Sequence, residues 1–338
     1  MEKKLFLLDA YALIYRAHFA FINNPRINSK GLNTSAIFGF CNSLLEVINN
    51  HKPTHLGVVF DPPGGSNREE VFSEYKANRQ EMPEDIRKSI PYIFDILNSM
   101  NIPTEMVSGF EADDLIGTLS KQAEKQGYKV FMMTPDKDFG QLVSENIFIY
   151  KPGRSGNPSE ILGVKEVCEK FEVERPEQVI DILGLWGDAV DNIPGIPGIG
   201  EKTAKKLIGI YGSAENLLAN TQDLKGKQKE NVENFADQGL ISKQLATIIL
   251  DCPVEFNSSQ YERKKINEDS LIKILKELEF NQLGKRILGK PIFQEKQMDL
   301  FAVNDVENTI QSDFQSFSSK NTNYQLIKSK EEHESFVF

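Results

Sequence analysis

The sequence predicts an α/β protein, with a mostly parallel central sheet flanked by helices and a helical region after it. Short apolar runs, "KLFLLD", "HLGVVFD" and "YKVFMMTPD", have the length and composition of buried strands. Segments of helical period, such as "TSAIFGFCNSLLEVINN" and "DDLIGTLSKQAEKQ", lie between them. Strands alternating with helices need crossover connections, so the sheet should be parallel and covered on both faces. Beyond about residue 176 the strand signals fade, helical patterns dominate, and "NIPGIPGIG" punctuates them.

The expected organisation is an α/β core over 1–175, with a polar, helix-prone cover at about 66–100, and a helical region over 176–292. Residues 293–323 are rich in Ser, Asn, Gln and Asp and read as a flexible linker. Residues 324–338 read as a strand entering a helix, the truncated start of a further domain. A chain of 338 residues has room for about two cores. Cys41, Cys168 and Cys252 are isolated, without zinc or disulfide spacing, and fit a reducing compartment. Asp9 and Arg16 interrupt the apolar N-terminus, so it does not read as a signal peptide. No stretch is apolar enough to span a membrane, and a cytoplasmic, nucleoid-associated monomer is expected.

Acids mark the ends of the predicted strands: Asp9 after "LFLL", Asp61 after "GVVF", Asp136 and Asp138 after "FMMTP". In open parallel sheets, ligands bind beyond the carboxyl ends of the strands. Glu111, Asp113 and Asp114 head a helix that precedes the third strand, which puts them at the same edge. Asp188 and Asp191 stand where the helical region begins. Single acids at such places are caps and turns. The repeated placement is better explained by cations, because crowded carboxylates would otherwise repel and take up protons. All-oxygen ligands suit hard ions such as Mg²⁺ or Mn²⁺.

"GIPGIGEKTAKKL" is a glycine hairpin leading into a helix, the helix-hairpin-helix pattern of sequence-independent DNA-backbone binding. Its glycines let amides approach a phosphate, the helix N-terminus favours an anion, and Lys202, Lys205 and Lys206 add charge. Lys225, Lys227 and Lys229 extend that track or form a solvated helix face. In "GGSNREEVFSEYKANRQEMPEDI", Arg68, Lys76 and Arg79 punctuate a segment poor in core residues. It reads equally as an exposed amphipathic helix or as a mobile cover that brings cations to a phosphate. The net charge of −10 opposes a nucleic-acid partner unless bound cations offset the acids.

Together "FLLDAYALIYRAHFAF", "VVFD", "YKANRQEMPEDI", "GFEADDLIGTL", "TPDKDFGQL" and "GDAVDNIPGIPGIGEKTAKKL" closely resemble the 5′-nuclease (flap endonuclease-like) family. More narrowly, residues 1 to about 290 resemble the 5′→3′ exonuclease region of bacterial DNA polymerase I. The resemblance implies a PIN-like core with a helical arch over the acids. It places Asp9, Asp61, Glu111, Asp113, Asp114, Asp136, Asp138, Asp188 and Asp191 at metal positions, with two or more ions. Lys76 and Arg79 match the catalytic basic pair of the arch, and Tyr15 falls near the substrate's 5′ end. Tyr15, Arg68 and Lys206 form the expected DNA-binding set alongside Gly195, Gly198, Gly200, Lys202 and Thr203, which match the duplex-gripping hairpin, often with K⁺ on its carbonyls. The implied reaction is metal-assisted phosphodiester hydrolysis on branched or nicked DNA with 5′ flaps and on RNA primers.

"QMDLF" resembles a sliding-clamp docking peptide through Gln297, Leu300 and Phe301, or is a linker with two stray apolar residues. Against a polymerase-borne nuclease stand two other readings, a free-standing 5′-nuclease and a non-catalytic junction-binding module. The complete acid set argues against the latter.

Overall fold

A computed structural model of the protein describes residues 2–153 and 158–292. The three apolar runs form β1 (Lys4–Asp9), β2 (His55–Val59) and β4 (Lys129–Met133), joined by the shorter β3 (Thr104–Glu105), β5 (Ile147–Lys151) and β6 (Glu160–Leu162). The six-stranded sheet has the order β3-β2-β1-β4-β5-β6. All neighbours are parallel except β5 and β6, where Tyr150 faces Ile161 in antiparallel register. β1 is therefore the strand from which the order runs outward in both directions, and the carboxyl edge beside it is where an α/β sheet opens a crevice.

Side-chain alternation on β1 builds two apolar layers. Leu5 and Leu7 face one side, with Val130 and Met132. Against them pack α5 (Ala112–Lys125), α7 (Val179–Trp186), α8 (Glu201–Tyr211), α9 (Ala214–Ala219) and α11 (Ala236–Ala246). Phe6 and Leu8 face the other side, with Phe131 and Met133. There they meet α1 (Ala10–Ala20), α2 (Ser35–Glu46), α4 (Glu84–Ser99), α13 (Glu268–Glu277) and α14 (Asn281–Leu288). The remaining helices are α3 (Arg68–Val71), α6 (Val164–Phe171), α10 (Gly226–Asn234) and α12 (Ser258–Tyr261).

Two features depart from the sequence reading. The core of the helical region is continuous with that of the sheet, since one apolar cluster runs through Leu5, Leu115, Leu185 and Leu245. Leu271, Leu275 and Leu283 of the last two helices return to the opposite layer. The cover expected over 66–100 is also shorter. Ile86, Ile93, Ile96 and Leu97 bury one face of α4, so only the stretch before it, with the four-residue α3 and turns, stands over the sheet edge. The expected linker, the start of a further domain, and Gln297, Leu300 and Phe301 lie outside the described residues. Among the described residues no helix is long and apolar enough to cross a membrane.

The crossing of α1 and α2 is close because Gly39 has no side chain: a Cβ there would stand 2.5 Å from Ala17 Cβ. Gly39→Ala should lower stability by about 1–3 kcal/mol. Gly209→Ala, on an open face of α8, should be neutral or raise it by up to about 1 kcal/mol. Urea unfolding midpoints at constant slope measure both.

Candidate active site

The acids at the strand ends meet in a cavity of about 670 Å³ at the carboxyl edge. Asp9, Asp61, Glu111, Asp113, Asp136 and Asp191 line it, with Lys76, Arg79 and an aromatic side made by Tyr11, Tyr15 and Phe19. Asp9 ends β1 and caps α1: one carboxylate oxygen accepts from the Ala12 amide at 3.1 Å, the other from Thr134 Oγ1 at 3.1 Å. Asp61 accepts from the Ala112 amide at 2.9 Å, so the start of α5 is tied to the end of β2. Glu111 caps α5 and Asp113 lies in its first turn, where the helix amides favour negative charge.

The short arch supplies cations from above. Lys76 Nζ lies 2.6 Å from Glu111 Oε2 and 3.9 Å from Asp191, and Arg79 Nη2 donates to Asp191 Oδ1 at 2.6 Å. Backbone contacts hold this arrangement. The Lys76 amide donates to Asp191 O at 2.9 Å, Asn78 Nδ2 to Ala189 O at 2.7 Å, and Asn192 Nδ2 to Glu74 O at 2.5 Å. Buried Tyr75 donates its hydroxyl to Glu111 at 3.1 Å.

These cations serve the cluster unevenly. Burial alone would raise Glu111, but Lys76, with Arg68 beyond it, holds its carboxyl below the ordinary range. Burial pushes Asp9 up to about 7, with Asp61 and Asp136 adding repulsion. Burial likewise raises Asp61, and it raises Asp113 and Asp138 well above the usual carboxylate range. Asp138 Oδ1 is buried without a hydrogen-bond partner. Among the described residues no three potential ligands close round one point, so the site is a wide cluster rather than a finished cage.

Four expected assignments change. Asp114, one residue from Asp113, turns into the protein and is 1% exposed. Its oxygens receive Arg68 at 2.7 and 2.8 Å, the Glu111 amide at 3.1 Å and the Ile249 amide at 2.8 Å, which leaves no place for an ion. Arg68 is correspondingly buried. Besides Asp114 it donates to Leu245 O and Thr247 O, both at 3.0 Å, so it anchors the arch base instead of meeting DNA. Asp138 and Asp188 sit beyond the cavity lining, and Asp188 is held by Lys137 at 2.5 Å.

The glycine hairpin lies between α7 and α8. Gly195 and Gly198 take positive φ values of 62° and 78°, and a Cβ at Gly195 would stand 2.5 Å from the Gly187 amide nitrogen. Gly200 caps α8, whose first turn carries exposed Lys202 and part-buried Thr203, with exposed Lys206 one turn on. The Gly195 and Pro197 carbonyls accept from Gln238 and Asn231 at 2.7 Å, which fixes the hairpin shape. Lys227 and Lys229 pair with Glu230 and Glu233 on their own helix, as a solvated face does.

Tyr75, Thr134 and Lys137 were not singled out from sequence. Each touches an acid of the cluster, and their positions beside Lys76, Asp136 and Asp138 were the available signal. Cations aimed at a carboxylate edge suit a reaction that builds negative charge on a phosphate. Residues 4–172 match the 5′-3′ exonuclease N-terminal resolvase-like domain, and residues 174–269 the 5′-3′ exonuclease C-terminal SAM fold. The chain belongs to the 5′-3′ exonuclease family.

Among its relatives, the 5′-3′ exonuclease of Aquifex aeolicus is 36% identical over 303 residues, 88% of this chain and all of that one. DNA polymerase I of Bacillus subtilis is 40% identical over 305 residues, 90% of this chain and 34% of the polymerase. The chain thus spans about a third of the length of such polymerases. Solved structures share the fold. The phage T5 flap endonuclease gives a TM-score of 0.61 at 21% identity, over 85% of this chain and 98% of that one. Flap endonuclease-1 from Methanococcus jannaschii gives 0.58 at 21%, over 85% and 91%.

Removing one partner of the Arg68–Asp114 pair leaves a buried charge, so Arg68→Met should cost about 3–5 kcal/mol. Arg68→Met/Asp114→Leu should cost much less than the sum of its single substitutions in a denaturation cycle. Between its ordinary value of 3.8 and about 7, Asp9 binds more protons folded than unfolded. In chelator, stability should therefore fall as pH rises through that window, and urea midpoints should be lower at pH ~8 than at pH ~5.5. Asp9→Asn should flatten the dependence.

Proposed function

We propose that the chain is a divalent-metal-dependent 5′-nuclease, hydrolysing phosphodiesters near single-strand/duplex junctions. The observation that carries this is the six-carboxylate cavity, whose acids exceed the protein cations available to them, with the orphaned oxygen of Asp138 behind it. Asp9, Asp61, Glu111, Asp113, Asp136 and Asp191 would hold the ions, with Asp138 and Asp188 supporting them. Hard oxygen donors fit Mg²⁺ or Mn²⁺. When bound, such ions lower the pKa of water and stabilise a leaving oxygen.

The chain's own groups do the rest. Lys76 and Arg79 leave their carboxylates for the scissile phosphate and offset the charge that builds on it. Tyr15, beside Phe19 with ring centroids 6.3 Å apart, offers a stacking face for a 5′-terminal base. Lys202, Thr203, Lys206 and the amides following Gly195, Gly198 and Gly200 grip duplex phosphates without reading sequence. A K⁺ ion at the hairpin belongs to the same reading and would share carbonyls with Gln238 and Asn231. The phage T5 relative was solved with DNA and metal ions, and zinc-bound T5 5′-exonuclease has a TM-score of 0.61 to this chain, which agrees with this reading.

In the polymerase setting that the Bacillus subtilis relative supports, the activity removes RNA primers and 5′ flaps during replication and repair. Docking on a sliding clamp through Gln297, Leu300 and Phe301 is part of that proposal on sequence grounds. The Aquifex aeolicus relative, matched along its whole length, favours a second setting, a free-standing nuclease. Either way the chemistry is the same.

A labelled 5′-flap substrate tests the proposal. Wild type should cut with Mg²⁺ and not with EDTA, and Lys76→Ala should lose about 10²–10³ in kcat. Asp113→Asn should abolish cutting while retaining flap binding, whereas Asp114→Asn should mainly lower stability. Undiminished cutting by Asp113→Asn refutes the metal assignment, and binding without cutting by wild type favours a junction-binding module.

A further inference from the structure

The carboxylates divide into two groups that differ in where their protein cation comes from. Glu111, in the first, is served by Lys76 on the arch. Asp188, in the second, is served by Lys137, fixed between Asp136 and Asp138 where β4 turns into a short 3-10 segment beginning at Asp138. Lys137 Nζ stands 2.5 Å from Asp188 Oδ2 and 4.7 Å from the centre of the Trp186 ring. Asp188 Oδ1 accepts from the Val190 amide at 2.8 Å, so both of its oxygens are in use. Asp138, 8% exposed, keeps one oxygen without a partner in the same group.

We propose that Lys137 is a built-in counter-cation that sets a weak affinity of the second carboxylate group for divalent metal. An ion drawn by Asp138 and Asp136 must displace the ammonium from Asp188 or remain beside it against like-charge repulsion. The neighbouring aromatic face gives the displaced ammonium a place to rest. The ion of the second group therefore exchanges readily, and the group does not collapse through self-repulsion while it is empty. Lys137 is a positioning residue acting through Asp188, and the inference rests on the divalent-metal reading above.

Trp186 is the single tryptophan of the chain and lies directly beneath the ammonium, so it reports the displacement. The test titrates the 338-residue protein without DNA, with Mn²⁺ by calorimetry and with Mg²⁺ by tryptophan emission. Wild type should bind one ion tightly and one weakly, and emission should change only across the weak step. Lys137→Met should tighten the weak step about tenfold or more and lose the emission change, whereas Lys137→Arg should stay within about twofold of wild type. A weak step unchanged or weakened in Lys137→Met overturns the proposal while leaving the metal reading intact. So does a wild-type weak step that leaves emission constant, a measurement independent of whether the variants fold. Wild type binding no ion at all overturns both readings.

Discussion

Burial of Asp9, Asp61, Glu111 and Asp113 together at the end of a parallel sheet sets their charges against one another, and much of the surrounding structure answers that repulsion. The sheet order brings β1 beside β2 and β4, so acids at the ends of three strands must meet. Helix α5 aims its first turn at them and contributes amides, Ala112 N to Asp61 among them. These dipoles do not suffice, as burial raises Asp9 to about 7. The arch closes the remaining gap with Lys76 and Arg79, and its ties to 189–192 follow from that closure. Under the proposed function, ions that take those carboxylates would compete with the arch, which would couple metal loading to the freedom of Lys76 and Arg79 to meet phosphate.

The arch base ties the helical region to the acids. Arg68 joins α3 to Asp114 and to the carbonyls of Leu245 and Thr247. Through Asp114 it also fixes the Glu111 amide and hence the cap of α5. A buried bidentate pair with all its hydrogen bonds made is stiff, and this one connects arch, acids and helical region at a single point. The hairpin that would grip duplex is carried by helices sharing that apolar layer, so its distance from the acids is set by packing rather than by a linker.

Much of this was legible in the sequence. Strands β1, β2 and β4 are continuous apolar runs, each followed by an acid, and a sheet buried on both faces requires such runs. Strands β3 and β6 are two and three residues long and carry no such signal. Asp113 and Asp114 could not be told apart, because their different faces of α5 matter only once Arg68, 46 positions away, is known to lie behind one of them. Nothing in the sequence marks Lys137 between its two acids, because its partner Asp188 is 51 residues on. The cover extends too far in the sequence because α4 carries exposed charges along a buried apolar stripe.

The central claim is that the acid cluster is unstable by itself and made for cations. It is tested most directly by the thermal stability of Asp113→Asn against wild type, in chelator and in Mg²⁺. Burial holds the Asp113 carboxyl well above its ordinary range, so removing the charge should relieve repulsion. The account predicts that the variant melts above wild type in chelator and gains less from Mg²⁺ than wild type does. A variant that melts below wild type in chelator yet gains as much from Mg²⁺ would contradict it.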